Sequence, residues 1–183
     1  MSGIGLIFGQ ENQRNDNINL YTFFINAVDE QFRFPLIGFV NIAEGNQSLP
    51  QIGYINWNKN DFASFQTGFI NTTGGNFTGL QTGLFNTVMK DTEGIQFGLV
   101  NTAARSVTGI QLGLFNTSPG ESVYGLQVGL VNAAMNNLNG TQISLIGITD
   151  RLTGVQFGLF NYVNTIEKGV PVGLISIVRN GGV

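Results

Sequence analysis

The sequence predicts an all-β protein of about twelve short strands, and three observations carry that expectation. A sentence of about 15 residues recurs almost from end to end. Gly79, Gly94, Gly109, Gly125, Gly140, Gly154 and Gly169 each open a copy, at intervals of 15, 15, 16, 15, 14 and 15 residues. Gln81, Gln96, Gln111, Gln127, Gln142 and Gln156 follow in phase, and Asn86, Asn101, Asn116, Asn132 and Asn161 close the copies. Within a copy, polarity alternates with period two. In Val107 to Asn116, Ile110, Leu112 and Leu114 point one way, and Val107, Gly109, Gln111, Gly113 and Phe115 the other, which fits a strand and no helical stripe. Between copies the chain turns to Asp29-Glu30, Glu44-Gly45-Asn46, Lys90-Asp91, Pro119-Gly120-Glu121, Asn136-Asn137 and Asp150-Arg151. Such residues supply positive φ or cap their own backbone, so they make tight turns.

Taken in order, Ile4 to Phe8 is a short apolar strand and Gln10 to Asn17 a polar connection. Ile18 to Asn26 is an irregular copy in which Tyr21, Phe23 and Phe24 stand where later copies hold Gln and Gly. Strands then follow at Phe34 to Asn41, Pro50 to Asn56, Phe65 to Asn71, Leu80 to Asn86, Ile95 to Asn101 and Ile110 to Asn116. The rest fall at Leu126 to Asn132, Thr141 to Ile148, Val155 to Asn161 and Val170 to Ile177. The whole chain, 1–183, reads as a single β-repeat domain, irregular over 1–33 and regular over 34–178, with both ends expected as cut sites.

Two architectures use such a text. In an antiparallel meander each copy is one strand and a hairpin turn, and the sheet closes into a barrel. In a parallel β-solenoid each copy is one coil, and like residues stack in ladders. Reach favours the meander: a straight Val107 to Asn116 spans about 33 Å, and the five residues left return at most about 17 Å. A solenoid needs the strand broken, at Gly109, with Thr102 to Thr108 returning. A weaker double period, in which Phe85, Phe115 and Ile146 alternate with Val100, Val131 and Phe160, also suits turns at opposite ends of a sheet. The meander closing into a barrel is therefore the expectation and the solenoid the alternative.

Composition narrows the setting. The 183 residues carry a formal charge of −3, only 10% are charged, and Cys and His are both absent. Disulfides and thiol chemistry are excluded, as are the commonest general base and transition-metal ligand. No basic face invites nucleic acid. One face of the predicted sheet is Ile, Leu and Phe, the other Gln, Gly and Phe or Val, and charges fall only at turns. An outer-membrane barrel has that distribution, with apolar residues toward lipid and small or amide residues inward. Against it, Trp57 stands alone and no aromatic girdle is visible.

The Gln and Asn columns named above are the candidate site, as a structural ladder or a polar lumen. Gly109-x-Gln111-x-Gly113 is no phosphate loop, since no helix follows and no Lys completes it, so nucleotide is not expected. Glu44, Asp61, Asp91, Glu93, Glu121 and Asp150 sit on turns without D-x-D-x-D spacing and read as solvated rather than calcium-binding. Asn71-Thr72-Thr73 and Asn139-Gly140-Thr141 match a glycosylation triplet by composition alone. No catalytic, cofactor or metal residues are expected, and the chain reads as no enzyme.

The copies G-I-Q-F-G-L-V-N at Gly94 to Asn101, G-I-Q-L-G-L-F-N at Gly109 to Asn116, G-L-Q-V-G-L-V-N at Gly125 to Asn132 and G-V-Q-F-G-L-F-N at Gly154 to Asn161 resemble an uncharacterised family of bacterial surface-repeat proteins. The resemblance implies an exported, envelope-associated protein of unknown activity. Gln127 to Ala133 is also similar to half of a curli fibre repeat. The expectation is a structural or pore-like protein of the bacterial outer membrane or cell surface, with membrane lipid or a second copy as partner. The opposing reading is a self-assembling or adhesive surface protein.

Overall fold

The computed structural model describes residues 5–7, 19–29 and 32–181. The expected polar connection at Gln10 to Asn17 lies outside them. The chain is all β, seventeen strands in one hydrogen-bonded sheet among the described residues. It is a parallel β-solenoid of about 8 turns, which corrects the expected antiparallel meander and barrel.

Each regular coil contains two strands rather than one. β12 (Thr92–Phe97) is followed by the pair Gly98-Leu99, then by β13 (Val100–Ala103), then by a three-residue turn into β14 (Val107–Leu112). β14 lies parallel to β12 with Gly109 beside Gly94, Ile110 beside Ile95 and Gln111 beside Gln96. β15 (Phe115–Ser118) lies parallel to β13 with Asn116 beside Asn101. The same register joins β8 (Phe62–Thr67), β10 (Phe77–Thr82) and β12, and β16 (Ser122–Val128) continues it from β14 with an offset of 16. β17 (Val131–Gly181) carries the last coils in the same register, Asn132 beside Asn116, Gly140 beside Gly125 and Gln142 beside Gln127.

The Gly-Leu pair is the reason for the correction. It bends the chain inside what reads as one straight strand, so the reach limit never applies, and the break falls at Gly113-Leu114 rather than at Gly109. The return is β15 and not Thr102 to Thr108. Alternation also stops at the bend: Leu114 and Phe115 are both exposed, whereas Asn116 is buried. Glycine is required there because a Cβ on Gly113 would lie 2.5 Å from Gly98 O and 2.6 Å from Asn101 Nδ2. The Gly109 column is tighter still. Gly109 has φ of +141°, and a Cβ there would lie 2.0 Å from Gly94 O. Both columns let successive coils approach at the spacing the ladder demands.

The first coils are capped by antiparallel pairing. β1 (Gly5–Ile7) pairs with β2 (Asn19–Tyr21), and β2 with β3 (Ile25–Val28), which then enters the parallel stack beside β5 (Val40–Ala43). Tyr21 and Phe32 meet at 5.1 Å over the end of the stack, beside a small core of Val28, Leu36 and Ala43. This is the physical content of the irregular opening: aromatic residues close a sheet end that would otherwise present unpaired backbone.

Candidate functional site

The sequence singled out two amide columns, and the coil brings both inside. Gln81, Gln96, Gln111, Gln127, Gln142 and Gln156 are fully buried, as are Asn86, Asn101, Asn116 and Asn132, with Asn161 nearly so. In the Gln column each Nε2 donates back to the Oε1 of the preceding coil: Gln96 to Gln81 at 2.9 Å, Gln111 to Gln96, Gln127 to Gln111 and Gln142 to Gln127 at 2.7 Å, and Gln156 to Gln142 at 2.8 Å. In the Asn column each Nδ2 donates forward instead: Asn86 to Asn101 at 2.9 Å, Asn101 to Asn116 and Asn116 to Asn132 at 2.8 Å. The two stacks of amide dipoles thus run in opposite senses, and their fields oppose along the solenoid axis.

Asn has a second duty that fixes its place. Its other N–H donates to a carbonyl at the bend of the next coil, as from Asn86 to Phe97 O and from Asn101 to Leu112 O, each 2.9 Å. The shorter side chain keeps the donor close to the bend. Such pairing offsets the cost of burying the amides, since an orphaned polar group costs about 1–3 kcal/mol. Between them these side chains bond from coil to coil, so the columns form ladders.

The ladders begin earlier than the expected positions. Asn26 donates to Asn41, Asn41 to Asn56 and Asn56 to Asn71, and Gln66 donates to Gln51, all at 2.7–2.8 Å. Gln51-Ile52-Gly53-Tyr54-Ile55-Asn56 carries the Q-x-G-x-x-N signal in full, so this start was readable. Asn71 is wholly buried and paired to Asn86 at 2.9 Å, which leaves its triplet as interior structure.

Outside the coil, the arrangement reverses along its width. Near the three-residue turns the interior is mainly apolar: Ala103, Val107, Val123, Ala134, Leu138, Leu152 and Val163 form one cluster, and Phe62 stacks on Phe77 at 5.9 Å, with Asn58, Thr73, Thr92, Ser118 and Thr149 buried in the same columns. The surface there holds the ion pairs, beside exposed Met89, Tyr124 and Met135. Lys59 meets Glu44 at 2.6 Å, and Arg105 meets Glu121 at 2.9 Å and Asp91 at 3.6 Å. The Glu121 hydrogen bond, with the charges of Asp91 and Glu121, holds the Arg105 guanidinium above its ordinary range. Carboxylates on these turns also cap the neighbouring coil, Asp61 accepting from Asn76 N at 2.7 Å and Asp91 from Ser106 N at 3.2 Å.

Near the bends the surface is apolar. Ile95 and Phe97, Leu99, Leu114 and Phe115, Leu130, Leu145 and Ile146, Leu159 and Phe160 are exposed in successive coils, with no charge among them. At the first coils the same bend column is aromatic, Phe39, Tyr54 and Phe69 stacking at 5.0 and 4.8 Å. Contiguous exposed apolar surface is, in general, a feature of protein–protein and membrane contact faces.

Among the described residues no three His, Cys, Asp or Glu side chains converge in a way that could hold a metal. No helix among the described residues is long and apolar enough to cross a membrane, which says nothing of crossing with strands. No protein-family model, curated protein or solved structure matches the chain.

Proposed function

We propose that the protein is a non-enzymatic structural element of the bacterial envelope whose bend half sits in the hydrocarbon of a membrane, with the solenoid axis in the membrane plane and the turns in water. The observation that carries this is the contrast across the coil: amides inside and uncharged Leu, Ile and Phe outside at the bends, a mainly apolar interior and the ion pairs at the turns. A soluble sheet keeps its apolar side chains within, because each one exposed forgoes about 1.5–3 kcal/mol. In lipid the preference inverts, and backbone polar groups must find partners within the protein, which parallel coils supply.

The orientation follows from the charges. They recur from Glu44 to Lys168 along the whole stack. Set across a bilayer, a solenoid of about 8 turns is roughly 40 Å long. That would put Lys90, Asp91 and Arg105 near mid-membrane, at about 2.5–3.5 kcal/mol per charge. Laid flat, it submerges three or four residues on each side of the bend, about 10 Å, the depth typical of interfacial elements. A pore-like role would need a lumen where the amide ladders stand.

A second copy placed wall to wall would cover the same surface, which is the self-assembling reading. Flotation with phosphatidylcholine vesicles separates the two. The full chain is expected to float as a lipid-bound monomer, and Leu99→Ser, Leu114→Ser and Leu130→Ser together to lower partitioning at least tenfold without changing the far-ultraviolet circular dichroism. A monodisperse monomer that stays in the aqueous layer would refute the membrane reading. Dimers or fibres indifferent to lipid would replace it with self-assembly.

A further inference from the structure

One coil breaks the repeat in its interior. Where the sentence calls for G-L-[FV]-N after Gln142-Ile143, the chain reads Ser144-Leu145-Ile146-Gly147, so serine takes the place of the bend glycine and glycine that of the ladder asparagine. The Asn column is interrupted there. Asn132 has no amide to meet in the next coil and donates to Gln127 O and Ile143 O, both at 3.0 Å. Asn161, on the far side of the gap, would receive its bond from an Asn at 147. Its Oδ1 is buried and has no hydrogen-bond partner in the protein, and the same is true of Ser144 Oγ.

These two atoms face one point. A Cβ on the buried Gly147 would lie 3.2 Å from Asn161 Oδ1, 3.2 Å from Ser144 Oγ and 3.3 Å from Gln142 Oε1. The side chain that every neighbouring coil places here is a carboxamide, larger than the roughly 30 Å³ one water takes in the liquid. We infer that the Gly147 gap is a binding site for a single internal water, which donates to Asn161 Oδ1 and accepts from the Ser144 hydroxyl. Gln142 Oε1, already receiving the Gln156 amide at 2.8 Å, is a further acceptor at the same point.

The chemistry selects water over a cation. Asn161 Oδ1 needs a donor and Ser144 Oγ–H offers a proton, which a molecule with both functions satisfies at once. A monovalent ion would meet neutral oxygens, with no carboxylate among the three named groups to offset its lost hydration. Two to four polar partners are what buried waters commonly have, and three are present.

The test compares the full-length protein with the double variant Ser144→Gly, Gly147→Asn, which writes the repeat's own G-L-I-N into this coil. Water-oxygen magnetic relaxation dispersion counts long-lived internal waters, and the variant is expected to hold one fewer. A crystal structure is expected to place that water within hydrogen-bonding distance of Asn161 Oδ1 and Ser144 Oγ. Equal counts in the two proteins would overturn the inference. So would a melting temperature of the native protein that depends on sodium or potassium against choline, since that identifies a cation. If the double variant does not fold, Ser144→Ala keeps the space and removes one partner. Faster exchange of that water supports the site, and an unchanged residence time contradicts it.

Discussion

The two halves of each coil obey opposite rules. At the turns the solenoid is built as a water-soluble protein is, with Val107, Val123 and Leu138 inside and the Arg105–Glu121 pair outside. At the bends Gln111 and Asn116 are inside and Leu114 and Phe115 outside. Parallel strands build both halves, so what differs is which side chains face in and which face out. In the turn half burial of apolar surface holds the coils together. In the bend half, hydrogen bonding through the two amide columns takes over, the Gln column running unbroken from Gln81 to Gln156 and the Asn column from Asn86 to Asn132.

Substitutions of matched shape sharpen the contrast. Gln111→Leu puts an apolar residue in the core, the ordinary recipe for a stable interior, yet it leaves Gln96 Oε1 without its donor and Gln127 Nε2 without its acceptor. Two buried orphans cost about 2–6 kcal/mol together, so chemical denaturation should show a loss of that size. A neutral or stabilising outcome would erase the distinction between the halves. Thr92→Val makes the same kind of change in the turn half, between Phe77 and Val107 in its column. The Thr92 hydroxyl is buried and without a partner, so its removal is expected to stabilise by about 1 kcal/mol in the same denaturation assay. If Thr92→Val destabilised as Gln111→Leu does, the turn half would not be an ordinary apolar core.

Much of this was legible in the sequence. The period, the strand character and the in-phase Gln and Asn columns follow from spacing alone, whereas the reading that charge is confined to turns is corrected at Glu93, which lies in β12. Strand direction was not legible, for a specific reason. The bend consists of Gly and one apolar residue, as in Gly98-Leu99 and Gly113-Leu114, and apolar residues after a glycine continue a period-two pattern on paper. Asn or Asp at that point would have announced a turn. Leu stands there because the bend's outer surface is apolar, so the feature that defines the candidate surface is also the one that hid the corner. Ser144 and Gly147 went unread for the related reason that a departure from a repeat gains meaning only once the coils on either side are placed.

The apolar character of the bend half is open to direct measurement. The chain has no cysteine, so a single introduced one carries a spin label at a unique place. With vesicles present, a label at Leu114→Cys should collide with dissolved oxygen and be shielded from a water-soluble nickel complex. A label at Glu121→Cys, on the turn of the same coil, should show the reverse. Equal nickel accessibility at both positions in the presence of lipid would contradict the account.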